Sequence, residues 1–228
     1  VPNSAKLKKI FFIDATCPLV SKVHREAEQL NKNGYKILLI GHSNHPEVIG
    51  TMGQLPEGSV KLIETKNDAE NFENLSGKKK LAYITQTTLS VDDTYEIIKI
   101  LKKKFPDIVS PKKDDICYAT TNRQLAVKKI APLCEVIFVI GSKNSSNSVR
   151  LVEVAKKSGC EKTFLIDSKK DSEINDILKY KNIGITSGAS APEKLLFDFI
   201  NEIKKKTEVE VKIIEAAKEK VSFKLPKL

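Results

Sequence analysis

Short apolar runs alternate with longer amphipathic stretches along most of the chain. The segments "KKIFFI", "YKILLIG", "VKLIE", "KLAYIT", "EVIFVIG", "KTFLID" and "NIGITS" concentrate Ile, Val, Leu and aromatic residues with little polar alternation. That is the pattern of short strands buried on both faces. Between them the period changes. After Cys17, the residues Leu19, Val23, Ala27 and Leu30 fall on one helical face, and Gly34 is placed to close that helix. Ser90 and Asp93 make a capping-box-like start for a helix carrying Ile97, Leu101 and Phe105. Pro192 sits where a first helical turn tolerates it, ahead of Leu196, Ile200 and Ile203. Strand and helix in alternation predict right-handed βαβ units, hence an α/β fold with parallel sheets flanked by helices.

The chain also matches itself. Cys17 and Cys117 lie 100 positions apart, as do Gly41 of "ILLIGHSNH" and Gly141 of "IFVIGSKNS". "YITQTTLS" and "GITSGASA" align Thr85 with Thr186, a separation of 101. Three landmarks in the same order predict two related modules. The expected division is 1–17 as the end of a first module whose body is absent, 18–113 and 114–212 as the second and third modules, and 213–228 as a tail. A chain that begins on Val1 fits that expectation of a fragment or processed product.

Composition sharpens the picture only in places. Of 228 residues, 40% are hydrophobic, enough for a sizeable core. The longest apolar run, Val136 to Ile140, is far too short to cross a bilayer. The net charge of +10 comes almost wholly from lysine, since only Arg25, Arg123 and Arg150 are arginine. Readers of DNA base edges use more arginine than that, so the lysines read mainly as solvated faces and secondarily as steering for an anionic ligand. The four cysteines, at 17, 117, 134 and 160, form no CxxC pair, which argues against a zinc ribbon. Cys134 and Cys160 precede strands, whereas Cys17 and Cys117 follow extended segments and open helices. Ligands gather at the carboxyl ends of parallel strands, so only Cys17 and Cys117 are placed to share a site there.

The loops after the strands carry the remaining chemistry. "GSKNSSNS" offers Ser145, Ser146, Asn147 and Ser148 at a helix start. "TSGASAP" offers Ser187 and Ser190, and "TQTTLS" offers Gln86, Thr87 and Thr88. Helix N-termini attract anions through free N–H donors and the helix dipole. Three or four hydrogen bonds of about 1.5–3 kcal/mol each reach the roughly 8 kcal/mol that micromolar binding needs, so these loops can hold a diphosphate without a P-loop. "GHSNHPE" differs in kind, placing His42, His45 and Glu47 on one strand-to-helix turn stiffened by Pro46. His titrates near neutrality and a buried Glu can relay a proton. His24 reads as a helix-face residue and His42 as part of the loop.

Taken in order, "DATCPLVSKVH", "GHSNHPEVIGTMGQ", "TQTTLSVDDT", "DDICYATTNRQ", "GSKNSSNSVRL" and "SGASAP" resemble the family of 4-hydroxy-3-methylbut-2-enyl diphosphate reductases, and the similarity covers essentially the whole chain. The resemblance implies an oxygen-sensitive iron–sulfur oxidoreductase of three α/β modules, each giving one cysteine to a four-iron four-sulfur (4Fe-4S) cluster. It implies reductive removal of the substrate's allylic hydroxyl to isopentenyl and dimethylallyl diphosphate, the last step of the methylerythritol phosphate route to isoprenoids. Cys17 and Cys117 match two cluster ligands, while the third, with the body of the first module, is not in this sequence. Glu47 matches the proton-relay glutamate, Thr87 the threonine that positions the substrate hydroxyl, and His45 a substrate-site histidine. Ser145, Ser146, Asn147 and Ser190 match the diphosphate binders. A ferredoxin or flavodoxin as electron donor is also implied, with no nucleic acid or membrane as partner, in a bacterial cytoplasm or a plastid stroma. A chain of these residues alone is expected to hold the cluster poorly and turn over little. The rival reading, a non-catalytic basic module that binds anions or nucleic acid, predicts steep salt dependence and indifference to both cysteines. A nucleotide-binding enzyme lacks its GxGxxG or GxxxxGK[ST] motif here.

Overall fold

The computed structural model describes residues 2–74, 80–167 and 177–223. Two three-stranded sheets, each wholly parallel, form the frame. In the first, β1 (Lys36–Ile40) lies between β2 (Val60–Ile63) and β3 (Leu81–Thr85). In the second, β4 (Val136–Ile140) lies between β5 (Thr163–Ile166) and β6 (Ile183–Ser187). Helices cross over between strands: α3 (Pro46–Met52), α4 (Lys66–Asn71) and α5 (Val91–Lys104) around the first sheet, α7 (Ser146–Lys157) and α8 (Glu193–Lys206) around the second. Each sheet is preceded by a cysteine-headed helix, α2 (Pro18–Lys32) or α6 (Tyr118–Ile130), and α1 (Pro2–Leu7) stands at the start of the chain.

Period-two side-chain alternation splits each central strand between two cores. Leu38 and Ile40 pack with the inner faces of α4 and α5, while Ile37 and Leu39 pack with Val23 and Ala27 of α2 and Val48 of α3. In β4, Ile137 and Val139 face Val127 of α6 and Leu151 of α7, and Val136, Phe138 and Ile140 face Phe199 and Ile203 of α8. Each fully buried side chain of this size contributes about 1.5–3 kcal/mol, so the central strands are the best-anchored elements and the loops leaving them are held on rigid ends. Gly34 ends α2 with φ +80°, as its position after Leu30 predicts.

Six of the seven expected strands are present. The exception is "KKIFFI". Its first residues close α1, with Lys9 at φ +52°, and Ile10 to Ile13 run on without strand pairing, Phe11 being 78% exposed. A run of apolar residues becomes a strand only where a neighbouring backbone can take its N–H and C=O groups, and none of the described strands lies beside this one. The repeat also shifts slightly. Ile40 pairs with Thr85 and Ile140 with Ser187, so Thr85 corresponds to Ser187, not Thr186, and the separation is 102.

Candidate functional site

The loops at the carboxyl ends of β1 and β4 are built alike. In each, the chain turns on a backbone bond, His45 N to His42 O at 3.3 Å and Ser145 N to Ser142 O at 3.0 Å, and then enters a helix. The neighbouring loops close over them with Gln86 N donating to Ile40 O at 2.8 Å and Gly188 N donating to Ile140 O at 2.9 Å. Each β1-type strand thus faces the loop of a strand whose helix covers the opposite side of the sheet, which opens a crevice at that point.

Glu47, second residue of α3, sits in the first crevice. Its Oε1 accepts the Thr87 N–H at 2.7 Å and its Oε2 accepts the Thr87 hydroxyl at 3.0 Å. Burial raises its pKa above the ordinary carboxylate range, against the pull of both Thr87 bonds, and the charge of Asp115 adds to the rise. A glutamate of this kind can keep a proton nearer neutrality and pass it to a hydroxyl in contact.

His45 caps α3, its Nδ1 accepting the Glu47 N–H at 3.2 Å. Burial lowers its pKa, so the ring is neutral at pH 7, and with Nδ1 accepting, the proton resides on Nε2. His45 therefore brings an N–H donor to a cleft of about 440 Å³ that it lines with Thr88, Ser145, Ser146, Asn147 and Ser190. His42 remains in the loop, its N–H donating to Gln86 Oε1 at 3.1 Å. His24 lies half-buried on α2 against Gly50 of α3, a helix-face residue as expected.

The cleft lies between the two sheets' loops and is held by a hydroxyl and amide network. Gln86, 1% exposed, donates through Nε2 to Thr88 Oγ1 at 3.0 Å and to Ser146 Oγ at 3.3 Å, while Thr88 Oγ1 donates to Ser146 Oγ at 3.1 Å. The Ser145 and Ser190 hydroxyls approach to 3.5 Å. Asn147 Oδ1 accepts the Ala189 N–H at 2.7 Å. Four hydroxyls, the Asn147 amide and the His45 N–H thus converge on one open space, together with the first N–H groups of α7.

Cys17 and Cys117 head α2 and α6 as N-cap residues. Cys117 N donates to Thr87 O at 3.0 Å, which ties its thiol to the Glu47 crevice. Lys22, on the second turn of α2, donates to Asp115 Oδ1 at 2.6 Å and to Lys113 O at 2.7 Å. Asp115 Oδ2 in turn accepts the Thr85 N–H at 2.8 Å. The heads of the two helices therefore meet at one edge, where burial and then the charge of Glu219 raise the pKa of Tyr118. Cys134 and Cys160 are packed into the apolar cluster of Ile137, Leu151 and Val154, away from this edge. Among the described residues no group of three His, Cys, Asp or Glu is arranged to hold a metal ion.

All the expected site residues except Cys17 are thus linked to the cleft or the crevice by direct bonds or shared walls. Missed were Lys22 and Asp115, and Thr120, whose N–H donates to Cys117 Sγ at 3.3 Å and whose Oγ1 accepts from Asn147 Nδ2 at 3.1 Å. Each looks like an ordinary helix or loop residue in the sequence, and only long-range contact reveals them.

The family model described as LytB protein matches residues 1–204. The chain is 51% identical over 227 residues to the 4-hydroxy-3-methylbut-2-enyl diphosphate reductase of Beijerinckia indica, spanning all of this chain and 71% of that one. With the same-named protein of Hyphomonas neptunium it shares 53% over 228 residues, spanning 72% of it. The solved E-1-hydroxy-2-methyl-but-2-enyl-4-diphosphate reductase of Plasmodium falciparum superposes with a TM-score of 0.81 at 41% identity, over 88% of this chain and 62% of that structure.

Proposed function

The chain belongs to the LytB family, and from that premise we propose that it carries out the reductive dehydroxylation of 4-hydroxy-3-methylbut-2-enyl diphosphate. Two electrons and two protons enter, the allylic C–O bond breaks, the oxygen departs as water, and isopentenyl or dimethylallyl diphosphate remains. The observation that carries this reading is the Glu47–Thr87 contact, a half-buried acid bonded to a hydroxyl one residue away from the polar cleft.

The roles follow from chemistry. The cleft's Ser145, Ser146, Asn147 and Ser190 donate to the diphosphate, with the Nε2–H of neutral His45 beside them. Thr87 orients the substrate hydroxyl, and Glu47 supplies a proton to the departing oxygen through Thr87 Oγ1. Proton delivery by a positioned acid is worth about 10²–10⁴ in rate. The low exposure of Gln86, Thr87 and Asn147 limits water at the reacting end.

The thiols of Cys17 and Cys117 suit iron–sulfur ligation in kind, being soft donors at the heads of α2 and α6. They would hold two corners of a 4Fe-4S cluster, and the third matching thiol is not in this sequence. When bound, the cluster supplies the two electrons. A ferredoxin or flavodoxin is the proposed donor, and a bacterial cytoplasm or plastid stroma the proposed place of work; no described helix is long and apolar enough to cross a membrane. Each sheet with its helices is proposed as one module, 18–113 and 114–212. Anaerobic assay of the protein in its natural length, with reduced viologen as donor, tests the proposal. Substrate-dependent viologen oxidation is expected, and none would overturn it.

A further inference from the structure

Cys117 is met by both polar groups of one residue. Thr120, fully buried, brings its N–H to 3.3 Å and its Oγ1 to 3.0 Å from Cys117 Sγ. The direction of the second contact follows from its neighbours. The Ala189 N–H can only donate, and its 2.7 Å contact fixes the accepting atom of Asn147 as Oδ1. The Asn147 amide nitrogen is then the atom 3.1 Å from Thr120 Oγ1, and it too can only donate. Thr120 oxygen accepts there, so its own hydrogen is left for the sulfur. A thiolate carries no hydrogen and accepts both contacts.

We propose that Thr120 is a positioning residue that gives Cys117 an O–H hydrogen bond, aimed by a one-way relay from Ala189 at the cleft through Asn147. This rests on the reading of Cys117 as an iron ligand. Hydrogen bonds to cluster sulfurs withdraw charge and raise the reduction potential. Thr120 thereby makes the bound cluster easier to reduce, and the diphosphate cleft is wired to one of its corners. A residue serving only as a helix cap would need no hydroxyl, because the N–H alone completes the cap.

The test uses the protein in its natural length, reconstituted with iron and sulfide, with Thr120→Val, Thr120→Ala and Thr120→Ser variants. Iron content, thermal unfolding and the cluster's midpoint potential are measured on each. Val and Ala are expected to shift the potential together to more negative values at unchanged iron content, and Ser to restore it. Val and Ala at the wild-type potential would overturn the inference while leaving Cys117 a ligand. A shift in Val but not in Ala would trace to shape and would overturn it too. A wild-type protein without iron, or a Cys117→Ser variant with an unaltered cluster, would instead defeat the underlying assignment of Cys117.

Discussion

Asn147 holds in the second sheet the place that Glu47 holds in the first. Each is the second residue of the helix after the central strand, and each accepts a backbone N–H at 2.7 Å from the adjoining loop, Thr87 for Glu47 and Ala189 for Asn147. The scaffold is one, and the side chain divides the labour. A carboxyl group can give up a proton, whereas an amide always presents a donor. That difference supports the roles proposed for the two repeats, proton transfer in the first and anion binding in the second.

That equivalence depends on close approach of helix to strand end, and glycine makes it possible. A Cβ on Gly141 would lie 2.1 Å from Ser148 Oγ and 2.7 Å from Ser148 Cβ, and one on Gly41 would lie 2.7 Å from Val48 Cγ2. Gly141→Ala and Gly41→Ala are expected to cost about 1–3 kcal/mol each in urea unfolding, through forced displacement of α7 or α3. Gly50→Ala is the control. Its Cβ meets nothing nearer than 3.8 Å inside α3, so helix propensity should stabilise it by up to about 1 kcal/mol.

Glu47→Gln separates chemistry from folding. Glutamine keeps an oxygen for the Thr87 N–H but has no proton to give, so turnover should fall by about 10²–10⁴. Stability should move the other way with pH. Burial raises the native pKa of Glu47 above its reference value of 4.5, so the folded chain holds that proton more tightly than the unfolded one. This contribution is full below about 4.5 and is lost as pH climbs through the raised native value. Glutamine suffers no such loss. Urea midpoints at pH 4 and pH 8 should show the variant gaining on the parent at the higher pH.

The strands, the helix starts and the doubling were legible because each depends on short-range pattern. Val136 to Ile140 is apolar throughout and buried throughout, and Ser90 caps α5 through the Asp93 N–H as its spacing implied. "KKIFFI" shows the limit of pattern, since apolar character does not supply a pairing partner. The site was legible as a set of residue types at strand ends. What was not legible is how these residues are held: Thr120, Asp115 and Lys22 act across 27, 30 and 93 positions of chain, and no local period encodes that.

Lys22 and Asp115 offer a second electrostatic test, at the joint between the two cysteine-bearing helices. The Asp115 side chain is fully buried and that of Lys22 is 28% exposed. Burial pushes Asp115 up, while Lys22 and the Thr85 N–H pull it down. Removing the cation in Lys22→Met leaves the carboxylate without its partner, at an expected cost of about 1–3 kcal/mol, below the value for a wholly buried pair because Lys22 reaches water. Without Lys22 the native pKa of Asp115 rises further, so this cost should grow as pH rises from 5 to 8. Adding Asp115→Asn to Lys22→Met should recover most of it, since the amide can still accept the Thr85 N–H. A double variant as unstable as Lys22→Met would show that the packing of Lys22, not its charge, was lost.

Gln86 links the two halves of the cleft, and two replacements should pull its functions apart. Its Oε1 takes the His42 N–H, and its Nε2 serves Thr88 and Ser146. Gln86→Met preserves volume but leaves the half-buried His42 N–H without its acceptor, which should cost about 1 kcal/mol of stability. Gln86→Glu preserves that acceptor yet turns a carboxylate toward the two hydroxyls that wall the anion cleft. Its loss of diphosphate affinity should be the larger of the two, because like charge faces the ligand at short range, and its stability should fall as pH rises and the buried carboxyl ionises. Calorimetric titration with inorganic diphosphate, and urea unfolding at pH 5 and pH 8, run on both variants, should therefore show weaker binding and a steeper pH-dependent stability loss for Gln86→Glu. Unweakened diphosphate binding in Gln86→Glu would mean that Gln86 supports the fold alone and leaves the cleft's electrostatics to other residues.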